Sequence, residues 1–276
     1  MTNTSGDPVP AIAESEATGD IAELYSDIRA TLGVPVVNLI WRHLATFPGA
    51  LSWAWNSLKP AYDDGTIAAQ AAALRADLDI PVLTGLSQYV LAAVGLDGDD
   101  MARIEIIQQS YERSNAMNMI AHSALLARLK GRWGNASEAP PDPFEPPIEG
   151  EMPELLTLDR MAPHVAAVVT DLNRIGGRDE ILASMYRHLA HWPAYLALMH
   201  AIIAPYAASG RLEPLIQGVV AEGHRRADQV APGLASPIPL NATVDADVHA
   251  AIRKFIDEPI GKMITIVPLI RRALPS

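Results

Sequence analysis

Cysteine is absent from all 276 residues. That excludes disulfides, thiolate nucleophiles and cysteine-ligated zinc or iron–sulfur centres together, and it fits a cytoplasmic protein. Positive charge is also scarce: 21 Lys and Arg stand against 32 Asp and Glu, for a formal charge of −11. With no Lys/Arg cluster of the kind that follows a phosphate backbone, no nucleic-acid partner is expected. The opening MTNTSGDPVP has no basic patch followed by an apolar segment, so no secretory signal is expected. Glycine-rich nucleotide fingerprints are missing as well. No segment alternates with a period of two, so strands are at most minor and the expected fold class is all-α. One long run, His188 to Gly210, lacks any charged residue. Three histidines and two prolines interrupt it, so it reads as a buried core helix rather than a membrane span.

What the chain does contain is a repeated sentence. WRHLATFPG at Trp41 to Gly49 returns as YRHLAHWPA at Tyr186 to Ala194, a shift of 145. The register holds further on, with Leu51 matching Leu196, Pro60 matching Pro205 and Gly65 matching Gly210. This is an internal duplication. The expected organisation is a first helical repeat over 1–130, a proline-rich tether over 131–153 and a second helical repeat over 154–276. With 49% hydrophobic residues, the two repeats can bury their apolar faces against each other as a pseudo-dimer around an approximate twofold axis. The apolar composition also suggests a homodimer.

Within this frame, Ile21, Leu24, Tyr25, Ile28 and Leu32 fall at helical spacing, with Asp20 as the expected cap and Gly33 as the stop. Val165, Val168, Val169, Leu172 and Ile175 repeat the stripe ahead of Gly176 and Gly177. Pro48 and Pro193 mark where one helix ends and the next begins, so each repeated motif is a helix–proline–helix corner.

Residues shared by both copies have a duty to the corner, so Arg42, Arg187, His43 and His188 are expected to make helix-end or cap contacts. Polar residues found in one copy only are the candidates for function. In SNAMNMIAHSALL, Asn115, Asn118 and His122 lie along one helical stripe, whereas the positions 145 further on are Ile260, Met263 and Val267. The stripe is a solvated helix face, a satisfied buried network, or one wall of a pocket whose amides hold a water or a substrate carboxylate.

The run VPVVNLIWRHLATFPGALSWAW, the Asn115 helix and the later HLAHWPAYL together resemble the group I 2-haloacid dehalogenases, over nearly the whole chain. The resemblance implies an all-helical pseudo-dimer related in fold to the alkylhydroperoxidase D-like proteins. The Cys-x-x-Cys chemistry of those peroxidases is excluded here. It further implies hydrolytic release of halide from small 2-haloalkanoic acids, by a water that a carboxylate activates, with no cofactor. Asn115 matches the asparagine that holds this water. The aspartate expected eight residues before the second proline is Met185 in this chain, and two aromatic pocket positions are Val36 and Leu39. Asn115, on this resemblance, and His122, from its place on the same stripe and the titration range of an imidazole, are the expected catalytic residues, with His122 as a substitute base or else a packed core histidine. Asn118, Val36, Leu39, Ser184 and Met185 are expected to contact a small carboxylic acid. A non-catalytic relative that binds such a molecule is the alternative. A metal shared by His188 and His191 is disfavoured, because no carboxylate lies near that pair in sequence.

Overall fold

A computed structural model describes residues 9–132, 145–234, 240 and 242–275. Among these residues every regular element is helical, which gives an all-α fold. The first half contains α1 (Gly19–Leu32), α2 (Leu39–Leu44), α3 (Ala50–Asp63), α4 (Thr66–Ala76), α5 (Gln88–Ala93) and α6 (Gly98–Leu129). The second contains α7 (Pro163–Arg174), α8 (Ser184–Leu189), α9 (Pro193–Ala208), α10 (Leu212–Val230), α11 (Ala242–Phe255) and α12 (Gly261–Arg271). Adding 145 to the bounds of α2 gives those of α8. The starts of α1, α3, α4 and α6 fall within two residues of those of α7, α9, α10 and α11 on the same shift.

The recurrence has one conspicuous break. The counterpart of the uninterrupted α6 is α11 and α12 joined by a π-helical turn, Ile256–Ile260, that contains Pro259. Proline has no N–H to donate, and a widened turn relieves the clash of its ring with the preceding carbonyl.

α6 is the axis of the molecule. A capping box starts it: Asp97 accepts from the Asp100 N–H at 2.9 Å while Asp100 reaches back to the Asp97 N–H at 3.3 Å. It then runs between α4 of its own half and α10 and α12 of the other. Its residues Ser114–Arg128 are buried all round as a result. One hydrophobic core therefore extends through both halves, from Tyr25 and Trp41 to Val267 and Ile270.

Local expectations meet mixed outcomes. Gly33 ends α1 in the left-handed region at φ 63°, where a Cβ would be strained. Asp20 is not its cap: Thr18 holds that position, and Asp20 lies inside the first turn. Pro193 is the first residue of α9, whereas Pro48 sits in the turn before α3, which Gly49 opens at φ 75°. The uncharged run does not make a fully buried helix. α9 buries Tyr195, Leu196, Met199, Ile203 and Tyr206 on one face and turns Ala197, Ala201 and Ala208 outward. Alanine exposes so little apolar surface that the outer face needs no charge. Among the described residues no helix is long and apolar enough to cross a membrane.

The tether is extended where it is described, and it is fastened. Ile148 N–H donates to the Gly33 carbonyl at 2.9 Å, and Glu145 pairs with Arg75 and Arg113. Residues 133–144 of the tether lie outside the described part. The two corners hold equivalent straps: His43 Nδ1 lies 2.6 Å from the Pro10 carbonyl, and His191 Nε2 lies 2.8 Å from that of Glu154. Arg187 donates to Leu156 O at 2.7 Å beside it. These are the corner contacts expected of the shared residues, with His191 rather than His188 playing the part of His43.

Candidate active site

Tyr111 and Asn115 are one helical turn apart on α6 and so leave the same face. Ser184, Met185 and His188 come from α8, which packs across that face. Between them lies a cavity of about 40 Å³, bordered by Asn38, Leu39, Tyr111, Asn115, Ser184 and Met185 and closed by Phe255, Ile260 and Met263. A water needs roughly 10–15 Å³ of such space. The cavity therefore has room for a few waters, or for the reacting end of a small ligand, against a mainly apolar wall.

The two amides of the cavity wall, Asn38 and Asn115, are held by each other and by Ser114. Asn38 Nδ2 donates to Ser114 Oγ at 2.9 Å and to Asn115 Oδ1 at 3.4 Å. With its oxygen turned towards Asn38, the Asn115 amide presents its NH2 group on the other side. Ser184 Oγ accepts from the Arg42 guanidinium at 3.3 Å, which holds the start of α8. Met185 is fully buried and contributes only a thioether. Among the described residues Tyr111 is the single titratable one bordering this cavity, and burial pushes its pKa well above the usual phenol value. The cavity wall carries no carboxylate. Nor do the nearest upstream acids supply one: Glu180 pairs with Lys254 at the surface, and Asp179 is not among the lining residues.

A second, open cleft of about 900 Å³ adjoins the first, and Tyr111 borders both. Its floor is Arg42, Arg187 and His188, and the Ala13–Glu16 strap and the Gly150–Leu155 segment border it. Arg42 and Arg187 occupy equivalent positions in the two repeats, yet they line this one cleft. His188 Nδ1 lies 3.1 Å from the Tyr111 hydroxyl. Burial first, and then the positive charges of Arg42 and Arg187, lower its pKa to about 3.

Of the residues singled out from the sequence, Asn115, Leu39, Ser184 and Met185 thus meet on one cavity. Val36 lines the open cleft instead. Asn118 and His122 do not reach either. Asn118 Oδ1 accepts from Trp41 Nε1 at 2.9 Å, and His122 Nδ1 lies 3.0 Å from the Asn118 carbonyl with its ring against Trp41 at 4.5 Å between centroids. His122 is seven residues beyond Asn115, about 10 Å along the helix. Burial lowers its pKa to about 4, and it has the surroundings of a core histidine. The geometry offers it no access to a water beside Asn115. Spacing alone does not single out Tyr111, although it lies four residues from Asn115. His188 recurs as His43, and so the repeat assigns it to the corner. The signal lay in its partner, since the position matching Tyr111 in the second repeat is Ile256.

No family profile matches the chain. Over 96 residues it is 33% identical to an (R)-2-haloacid dehalogenase of Pseudomonas putida, a match spanning 33% of this chain and 32% of that protein. It is 26% identical over 211 residues to a configuration-inverting 2-haloacid dehalogenase of Alcaligenes xylosoxydans xylosoxydans, covering 72% of this chain and 69% of the relative. A configuration-inverting enzyme of Pseudomonas sp. (strain 113) is 27% identical over 202 residues, covering 68% and 64%. Among solved structures, a D-2-haloacid dehalogenase mutant superposes with a TM-score of 0.80 at 19% identity, over 96% of both chains. A mutant of such an enzyme in complex with D-2-CPA gives 0.76 at 18% identity, again over 96% of both. In sequence the chain is thus similar, over about seven tenths of its length, to configuration-inverting 2-haloacid dehalogenases, and it shares its fold with the D-2-haloacid dehalogenases.

Proposed function

We propose that this protein hydrolyses the carbon–halogen bond of small 2-haloalkanoic acids, with a water held by Asn115 as the nucleophile. The observation that carries the reading is the meeting of Asn115, Ser184 and Met185 on one buried cavity, in a homologue of enzymes named for this reaction. The Asn115 NH2 group can donate to the water oxygen and leave a lone pair aimed at the substrate carbon. Attack opposite the halogen inverts that carbon, and the apolar wall of Leu39, Phe255 and Met263 fits the uncharged halogen-bearing end of the substrate. The substrate carboxylate is directed towards Arg42 and Arg187 at the base of the open cleft, whose border also carries Glu14, Glu16, Glu151, Glu154 and Asp159. With a small carboxylic acid as ligand go a cytoplasmic location and a homodimer, the latter checked by sedimentation.

The test is to incubate the purified protein with D- and L-2-chloropropionate and to measure both chloride and the configuration of the hydroxy acid. Chloride release with inversion supports the reading. A second reading, a non-catalytic binder of the same acids, is favoured by the buried Met185 thioether in place of an acid. Saturable binding of 2-chloropropionate without chloride release would establish it. A positioned general base contributes roughly 10²–10⁴ in rate. Should wild type release no chloride, Met185→Asp, which places a carboxylate on the Asn115 cavity, is expected to bring release up from that background by about this factor.

A further inference from the structure

The wall between the cavity and the cleft is a hydrogen-bonded pair. Tyr111 and Asn115 on α6 oppose Ser184 and His188 on α8, each pair one turn apart. Tyr111 borders the space where Asn115 holds water, and its hydroxyl touches His188 Nδ1 at 3.1 Å. Both residues are about 4% exposed, so neither is a surface group that happens to meet the other. Resting on the dehalogenase reading, we infer that Tyr111 and His188 together accept the proton of the attacking water.

In this step the water oxygen forms a bond to C2 as the C2–halogen bond breaks, and the halide leaves with the bonding pair. The water passes one proton to Tyr111 Oη while Tyr111 passes its own to His188 Nδ1. The products are a 2-hydroxy acid, a halide ion and an imidazolium, and the imidazolium returns its proton to solvent through the open cleft that His188 lines. Tyr111 is the catalytic residue, because it touches the reacting water. His188 acts through it as a positioning residue and proton sink.

Two conditions for the relay are met. His188 is neutral before the reaction, since burial and the flanking Arg42 and Arg187 disfavour its charged form. Tyr111 stays protonated, so it conducts a proton rather than supplying a phenolate. A substrate carboxylate beside the two arginines would offset their charge and make the imidazole a better acceptor in the complex than in the free protein.

Chloride release from 2-chloropropionate by wild type, Tyr111→Phe, His188→Gln and the double variant tests the pair. The expected result is a loss of at least about 10²-fold in kcat for each single variant, with KM little changed. The double variant should be no worse than either single, because the two act as one unit. The solvent deuterium isotope effect on kcat should shrink in both. Wild-type kcat in either variant overturns the inference. Should His188→Gln lose activity, Met185→Asp is added to it. Regained chloride release shows that the cavity still stands and that the loss was one of proton transfer, whereas an inert double variant assigns His188 a structural role and overturns the proposal. Wild type inert with Met185→Asp active also overturns it while keeping the dehalogenase reading; both inert removes that reading itself.

Discussion

His122 and His188 are buried imidazoles with opposite surroundings. Burial alone lowers the pKa of His122 to about 4, and burial reinforced by two guanidiniums lowers that of His188 to about 3. In the unfolded chain both titrate near 6.5. Between pH 7 and pH 4 the unfolded state therefore binds protons that the folded state refuses, and stability falls as pH drops, levelling only below the folded-state values. For His122 a displacement of this size is worth on the order of 3 kcal/mol. His122→Leu should flatten the loss of urea-unfolding free energy between pH 7 and pH 4.5 relative to wild type; an unaltered slope would contradict the assignment. The sequence showed that Asn115, Asn118 and His122 share a stripe, but a stripe winds about a helix axis. Only the packing of α2 and α8 decides that its first member meets a cavity and its later members meet Trp41. That information is tertiary, and no spacing rule contains it.

At the level of elements, α6 gathers most of what the site needs, and its register depends on how it starts. Removing the Asp97 side chain breaks the reciprocal contact with Asp100. Asp97→Ala should cost about 1 kcal/mol, seen as a melting temperature lower by a few degrees with kcat unaffected. The helices themselves were legible because their apolar stripes and glycine stops are local: Gly33 terminates α1, and Gly176 at φ 79° and Gly177 at φ 63° follow α7. The strap contacts were not legible. Tyr25 donating to the Ile12 carbonyl at 3.0 Å, or Arg187 to that of Leu156, joins residues whose meeting is settled by chain path rather than by periodicity.

Across the whole molecule, the two repeats are not independent units resting on one another. α6 of the first is enclosed by α10 and α12 of the second, and Arg226 of α10 donates to Gln70 of α4 at 3.2 Å and pairs with Asp77. With so much apolar surface shared, the chain should unfold in urea in one cooperative transition. Tryptophan fluorescence, to which Trp41, Trp53 and Trp55 of the first repeat contribute, should report the same midpoint as far-ultraviolet circular dichroism. Separated midpoints would mean that the halves fold apart. The constant shift of 145 is legible in the sequence. What that shift could not reveal is where the repetition fails, because insertion of a wide turn leaves the residue numbering undisturbed.

The five-residue turn at Ile256–Ile260 has a consequence for stoichiometry. It places Ile256 and Ile260 where the first repeat has Tyr111 and Asn115, and Pro259 and Ile260 become part of the lid over the first repeat's own amide. Residues at the positions matching Tyr111 and Asn115 are thus apolar, and one of them roofs the cavity instead of lining another like it. Calorimetric titration with a 2-haloacid should accordingly saturate at one molecule per polypeptide.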